Sequence, residues 1–149
     1  MKAFHNDPKI KRAVIKQIKA HAAGDEIIKG VYWQNGKGCA VGCTIHSGKH
    51  SEYVTRFGIP EVLAHLEDSI FEGLPNGKAK KWPLQFISAI KVVADLSLVW
   101  PKFAGWMLVD PNDGVARFNS DPSIPAVAAL FSVPCAADAA WNAAWAYSK

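Results

Sequence analysis

Apolar positions take up helical spacing almost at once: Ile10, Val14, Ile18 and His21 fall on one face, with Arg12, Lys16 and Lys19 opposite. Asn6 or Asp7 is placed to cap this helix, and Pro8 suits its first position. Gly24 is a candidate stop, although Asp25-Glu26-Ile27-Ile28 can continue in the same direction. The period then changes. Val31-Tyr32-Trp33-Gln34 is rich in strand formers, Asn35-Gly36 is a strong two-residue turn signal, and Gly38 to Thr44 alternates small and apolar residues. A short β-hairpin is expected near residues 31–44. Ser51 to Phe57 predicts one or two helical turns stopped by Gly58. Pro60 then opens a helix to about Gly73, with Val62, Leu63, Leu66, Ile70 and Leu74 on its apolar face.

A basic loop with Lys78, Lys80 and Lys81 leads into Trp82-Pro83, after which Phe86, Ile87, Ile90 and Ala94 again keep helical spacing. Leu96 to Val109 is apolar on all sides. It predicts a central buried element that includes Trp106 and breaks at Trp100-Pro101, where proline removes a backbone donor. Asp110-Pro111-Asn112-Asp113-Gly114 is turn chemistry without the later glutamate of a calcium loop. Two alanine-rich helices are expected over about 124–133 and 134–147, the second presenting Trp141 and Trp145 one turn apart. No repeat or flexible linker divides the chain. The expectation is a single, mainly α domain over residues 1–149 with one short β-hairpin.

Composition agrees with a folded domain: of 149 residues, half are apolar and a fifth charged, so a core needs no covalent staples. The opening residues lack the apolar stretch of a secretory signal, and the longest apolar run is interrupted by Asp95, Pro101 and Lys102. A cytoplasmic protein without a membrane partner is expected. The three cysteines then stand by default as free thiols. The net charge of +4 is uneven, with +6 on residues 1–60 and −2 on the rest. Lys9, Lys11, Arg12, Lys16 and Lys19, with Lys78, Lys80, Lys81 and the stacking aromatic Trp82, are candidates for phosphate contact. No recognised nucleic-acid motif accompanies them, and solvated helix faces are the ordinary reading.

The chemistry is concentrated in Cys39, Cys43, His46 and His50, four reactive or metal-ligating side chains within twelve residues. On a continuous helix they would spread over about 16 Å, and on a strand the two cysteines alone would stand about 13 Å apart. Ligand bonds of about 2.0–2.3 Å cannot gather such a set, so a pair such as His46 and His50 would need ligands from elsewhere. A thiol nucleophile needs an imidazole base and a group to orient it. Cys39 is the candidate nucleophile, His46 or His50 its base, and Glu52 the orienting carboxylate, with flanking glycines admitting a substrate. The plain structural alternative puts Cys39, Val41 and Cys43 on the buried face of the hairpin and the histidines in an exposed loop.

Glu61, His65, Asp68 and Glu72 form a second stripe at helical spacing, read as a solvated face rather than a di-metal site. Trp33, Trp82, Trp100 and Trp106 are candidates to surround one pocket, and Trp33, Cys43, Glu52 and Trp82 are taken as binding residues. Trp141 and Trp145 suit a partner surface. No cofactor is indicated.

The segments Gly38-Cys39-Ala40-Val41-Gly42-Cys43-Thr44-Ile45-His46 and Ile70-Phe71-Glu72-Gly73-Leu74-Pro75, followed by Trp82-Pro83 and Ala94-Asp95-Leu96-Ser97, resemble small uncharacterised bacterial proteins. The resemblance spans most of the chain and implies a shared fold, and it brings no activity with it. Three function classes stay open. The first is a small soluble binding or regulatory module contacting a protein or small molecule; the others are a Cys39-dependent enzyme and a metal-binding protein.

Overall fold

Asp7 accepts a hydrogen bond from the Lys9 amide at 2.7 Å, and Pro8 follows it as the first residue of helix α1 (Pro8–Ala23). This is the predicted start, and α1 buries Val14, Ile18 and His21 as its periodicity requires. The computed structural model describes residues 1–132; the expected helix over 134–147, with Cys135, Trp141 and Trp145, lies outside the described residues. The chain divides into two compact units, Met1–Leu96 and a second from Ser97 onward.

In the first unit the chain reverses after α1 at Asp25, which takes a left-handed φ of 53°. The Glu26 amide then donates back to the His21 carbonyl at 3.0 Å. Strands β1 (Trp33–Gln34) and β2 (Lys37–Gly38) pair antiparallel, Trp33 opposite Gly38 and Gln34 opposite Lys37. Asn35 and Gly36 both take positive φ in the two-residue turn between them, as anticipated from their types.

The hairpin is shorter than expected, and residues 40–45 are not strand. They form helix α2 (Ala40–Ile45), entirely buried. Cys39 caps it: its sulfur accepts from the Gly42 amide at 3.5 Å. Small residues were the misleading signal, because their purpose is contact rather than pleating. The Tyr32 carbonyl lies so close to Gly38 and Gly42 that a Cβ at either position would overlap it. The helix thus nestles under the backbone of residues 31–33, and the Cys39 amide donates to the Val31 carbonyl at 2.7 Å.

Helices α3 (Glu52–Phe57) and α4 (Glu61–Gly73) follow, separated by Gly58 with φ 61°. Then come α5 (Asn76–Ala79) and α6 (Trp82–Ala89), the latter with Pro83 in its first turn. Phe4, Ile18, Ile45, Tyr53, Ile59, Phe71 and Ile87 are fully buried and form the core, each contributing about 1.5–3 kcal/mol by leaving water. The N-terminus closes the unit, the Ala3 amide donating to the Ala94 carbonyl at 2.9 Å.

The second unit holds α7 (Val99–Val109) and α8 (Ser123–Leu130) with a 3-10 turn at Val115–Arg117 between them. Residues 96–109 are therefore not a buried element broken at Trp100-Pro101. Trp100 and Pro101 sit in the first turn of α7, where a missing backbone donor is harmless, and Leu98, Val99, Trp106, Met107 and Val109 are exposed. Asp110 Oδ1 accepts from the Asn112 and Asp113 amides at 2.9 and 3.0 Å, making the predicted turn. The architecture is mainly α with one small hairpin, as the sequence implies.

Candidate functional site

The peptide joining Tyr32 and Trp33 divides the histidines into two groups around α2. The Tyr32 ring meets His50 edge-on at 5.4 Å, whereas Trp33 stacks flat on His46 at 4.4 Å and meets His21 edge-on at 5.4 Å. His46 and His50, four residues apart in sequence, therefore serve different neighbourhoods.

Beside Tyr32 the structure builds a cavity of about 270 Å³ lined by Gly30, Val31, Tyr32, Cys39, Asp68 and Glu72, two of which, Tyr32 and Asp68, also contact His50. Asp68 and Glu72 come from the α4 stripe that was expected to be solvated. Instead His65 is buried and the Asp68 side chain only 14% exposed. The cause is the segment after α2, which carries His50 onto α4: the His50 and His65 rings stack at 4.0 Å, and His50 Nε2 lies 3.5 Å from Asp68 Oδ2. Only the ends of the stripe, Glu61 and Glu72, remain exposed. Glu72 Oε1 accepts from the Gly30 amide at 3.1 Å, tying the cavity rim to α4.

The Cys39 thiol forms part of the cavity wall while being almost wholly buried. Burial pushes it well above the ordinary thiol range; the Gly42 amide pulls the other way, and the carboxylate of Asp68 adds to the rise. Cys43 is likewise pushed up to about 12, chiefly by burial, and donates to the Gly38 carbonyl at 3.3 Å. Both are neutral, free thiols at neutral pH. Burial and the neighbouring His50 hold His65 below the ordinary imidazole range.

The remaining sequence candidates fall elsewhere. His46, one of the two expected bases for Cys39, contacts His21, its Nε2 lying 2.7 Å from His21 Nε2; the side chain acting on Cys39 is Asp68, and the other expected base, His50, lies against that carboxylate. Glu52 is bound by the Ser47 hydroxyl at 2.7 Å and by Arg56, and does not orient an imidazole. Trp82 donates to the Glu67 carbonyl at 3.0 Å, and Trp33 lies on the histidines. Trp100 and Trp106 belong to the second unit, so no pocket within either unit gathers the four tryptophans. Lys9, Arg12, Lys16 and Lys19 are exposed along α1. Lys11 is used internally, donating to the Ser88 and Ile90 carbonyls at 2.8 and 2.6 Å.

From the sequence, Asp68 and Glu72 read as a solvated face, and Tyr32, His21 and Glu26 carry no chemical role. The i, i+4 and i+7 spacing of His65, Asp68 and Glu72 was visible, and the signal that could have placed them was the number of histidines available to cover them. Among the described residues no group of three or more His, Cys, Asp or Glu side chains is arranged to hold a metal ion, and no helix is long and apolar enough to cross a membrane. Comparison with protein-family models, curated proteins and solved structures finds no match for this chain.

Proposed function

We propose that this protein is a small binding module that takes a compact, positively charged ligand, an amine or guanidine, in the Asp68 cavity. The observation that carries this reading is Asp68 Oδ1, which is buried and has no well-formed hydrogen bond, with only the weak Cys39 thiol donor and His50 acting on this carboxylate. Buried carboxylate oxygens are normally satisfied, and a ligand N–H supplies what the fold withholds. The cavity lining contains two carboxylates and no lysine or arginine, in a chain whose net charge is +4. Tyr32 adds an aromatic surface suited to a cation. A volume of about 270 Å³ lies just below the range of drug-sized pockets, so the ligand is compact.

The neutral thiol ranks binding ahead of Cys39-dependent catalysis, which needs a thiolate. A reducing, cytoplasmic setting suits the reading, since it keeps Cys39 and Cys43 free. Isothermal titration with ethylammonium, guanidinium and choline, against neutral isosteres and acetate at fixed ionic strength, tests it. At least one cation should bind saturably, and Asp68→Asn should weaken it roughly tenfold, about 1.4 kcal/mol. Asp95→Asn, a surface partner of Lys2, should leave binding unchanged. Cations binding no better than their isosteres would sink the proposal.

A further inference from the structure

The Glu26, His21 and His46 side chains form a hydrogen-bonded chain outside the cavity. The Glu26 carboxylate can only accept, so the 2.6 Å contact between Glu26 Oε2 and His21 Nδ1 places a proton on Nδ1, and in the neutral ring this leaves His21 Nε2 as a lone pair. That lone pair faces His46 Nε2 at 2.7 Å, so His46 is the donor there and carries its proton on Nε2. With ring centroids 4.9 Å apart and planes at 88°, the two rings meet nearly head-on, as an N–H···N bond requires. His46 Nδ1 is left as a free lone pair, and among the described residues it makes no hydrogen bond.

Two features hold the ring there. His46 ends α2 in the left-handed region, φ 53°, its amide donating to the Gly42 carbonyl. Trp33 fixes its plane by stacking on one side. His21, the inner member, is 8% exposed, whereas His46 is open to solvent.

We infer that His46 is a nucleophilic site whose Nδ1 accepts a phosphoryl group from a small phosphoryl donor, with His21 and Glu26 as positioning residues that remove the Nε2 proton. As the Nδ1–P bond forms, the donor's bond to its leaving group breaks and that pair of electrons departs with it. The Nε2 proton of His46 passes to His21 Nε2, and Glu26 balances the imidazolium so formed. The logic is that of a nucleophile, base and orienting carboxylate, with imidazole as the nucleophile. Burial, His21 and the Arg56 guanidinium hold His46 below the ordinary imidazole range, so it is neutral at pH 7, while Glu26 acts in the opposite sense. The nearby Arg56 supplies positive charge for an anionic group, although it also pairs with Glu52.

Phosphoramidate is the probe, its P–N bond breaking with release of ammonia. Intact mass and alkaline peptide mapping read the rate at each histidine. His46 should be modified at least tenfold faster than His5, an exposed imidazole whose Nε2 bonds the Thr55 carbonyl. His46→Gln should abolish the fast phase. In Glu26→Gln, with its fold checked by circular dichroism, the plateau rate should fall about fivefold while the midpoint of the pH–rate profile moves to lower pH, a pair of changes that loosened packing would not give. Modification of His46 no faster than His5, or a Glu26→Gln profile identical to the parent, overturns the inference.

Discussion

Glu67 is fully buried on α4, and its Oε2 accepts from the Tyr53 hydroxyl at 2.7 Å while Oε1 has no partner. Burial raises its pKa from 4.5 to about 8, and the Tyr53 bond only partly opposes this. The folded chain therefore keeps a proton that the unfolded chain releases. The resulting stabilisation is complete below about pH 4.5, declines as the pH rises, and is lost by about pH 8. At about 1.4 kcal/mol per pH unit, the interval is worth about 3–5 kcal/mol. Glu67→Gln keeps the acceptor for Tyr53 and has no proton to lose, but it leaves an amide N–H unsatisfied, costing about 1–2 kcal/mol. The variant should thus be less stable than the parent at pH 5 and more stable at pH 8, with the two curves crossing between. Urea unfolding followed by tryptophan fluorescence at pH 5, 6.5 and 8 measures this. His46 and His65, with pKa values held low, lose stability as the pH falls below about 6.5, but both chains share that trend and the difference removes it. Parallel curves at all three pH values would refute a protonated Glu67.

Gly42→Ala should destabilise the protein by about 3 kcal/mol or more in denaturant titration, because its Cβ would enter the Tyr32 carbonyl and the obstacle is backbone. Gly73→Ala, where a Cβ meets nothing within 4 Å, should instead be neutral or gain about 0.5–1 kcal/mol. Iodoacetamide at pH 7 should label Cys39 and Cys43 slowly in the native protein and quickly in urea. Rapid native labelling of Cys39 would put the thiolate enzyme ahead of the binding module.

What could be read from the chain were signals carried by single residues or close neighbours. Asp7-Pro8 starts α1, Asn35-Gly36 turns the hairpin, Gly58 stops α3, and Pro60 and Pro83 mark α4 and α6. What could not be read depended on partners distant in sequence. Residues 40–45 become helix because a carbonyl from residue 32 needs room, which no local period encodes. The α4 stripe has the right spacing, but its solvent is displaced by His50. The relay needs the left-handed turn at Asp25 to return Glu26 to His21, and asparagine or glycine would have signalled that turn more openly.

The clamped Tyr32 carbonyl gives the two sites a common mechanical anchor. Tyr32 borders the cavity and Trp33, the next residue, supports His46, while the peptide between them is trapped against Gly38 and Gly42. A cation that tilted the Tyr32 ring on entering the proposed site would act on the Trp33 ring that stacks on His46. Occupancy of the cavity should therefore be audible at His46 as an altered modification rate, and the phosphorylated protein should hold its cation with a correspondingly altered affinity, since such coupling is reciprocal.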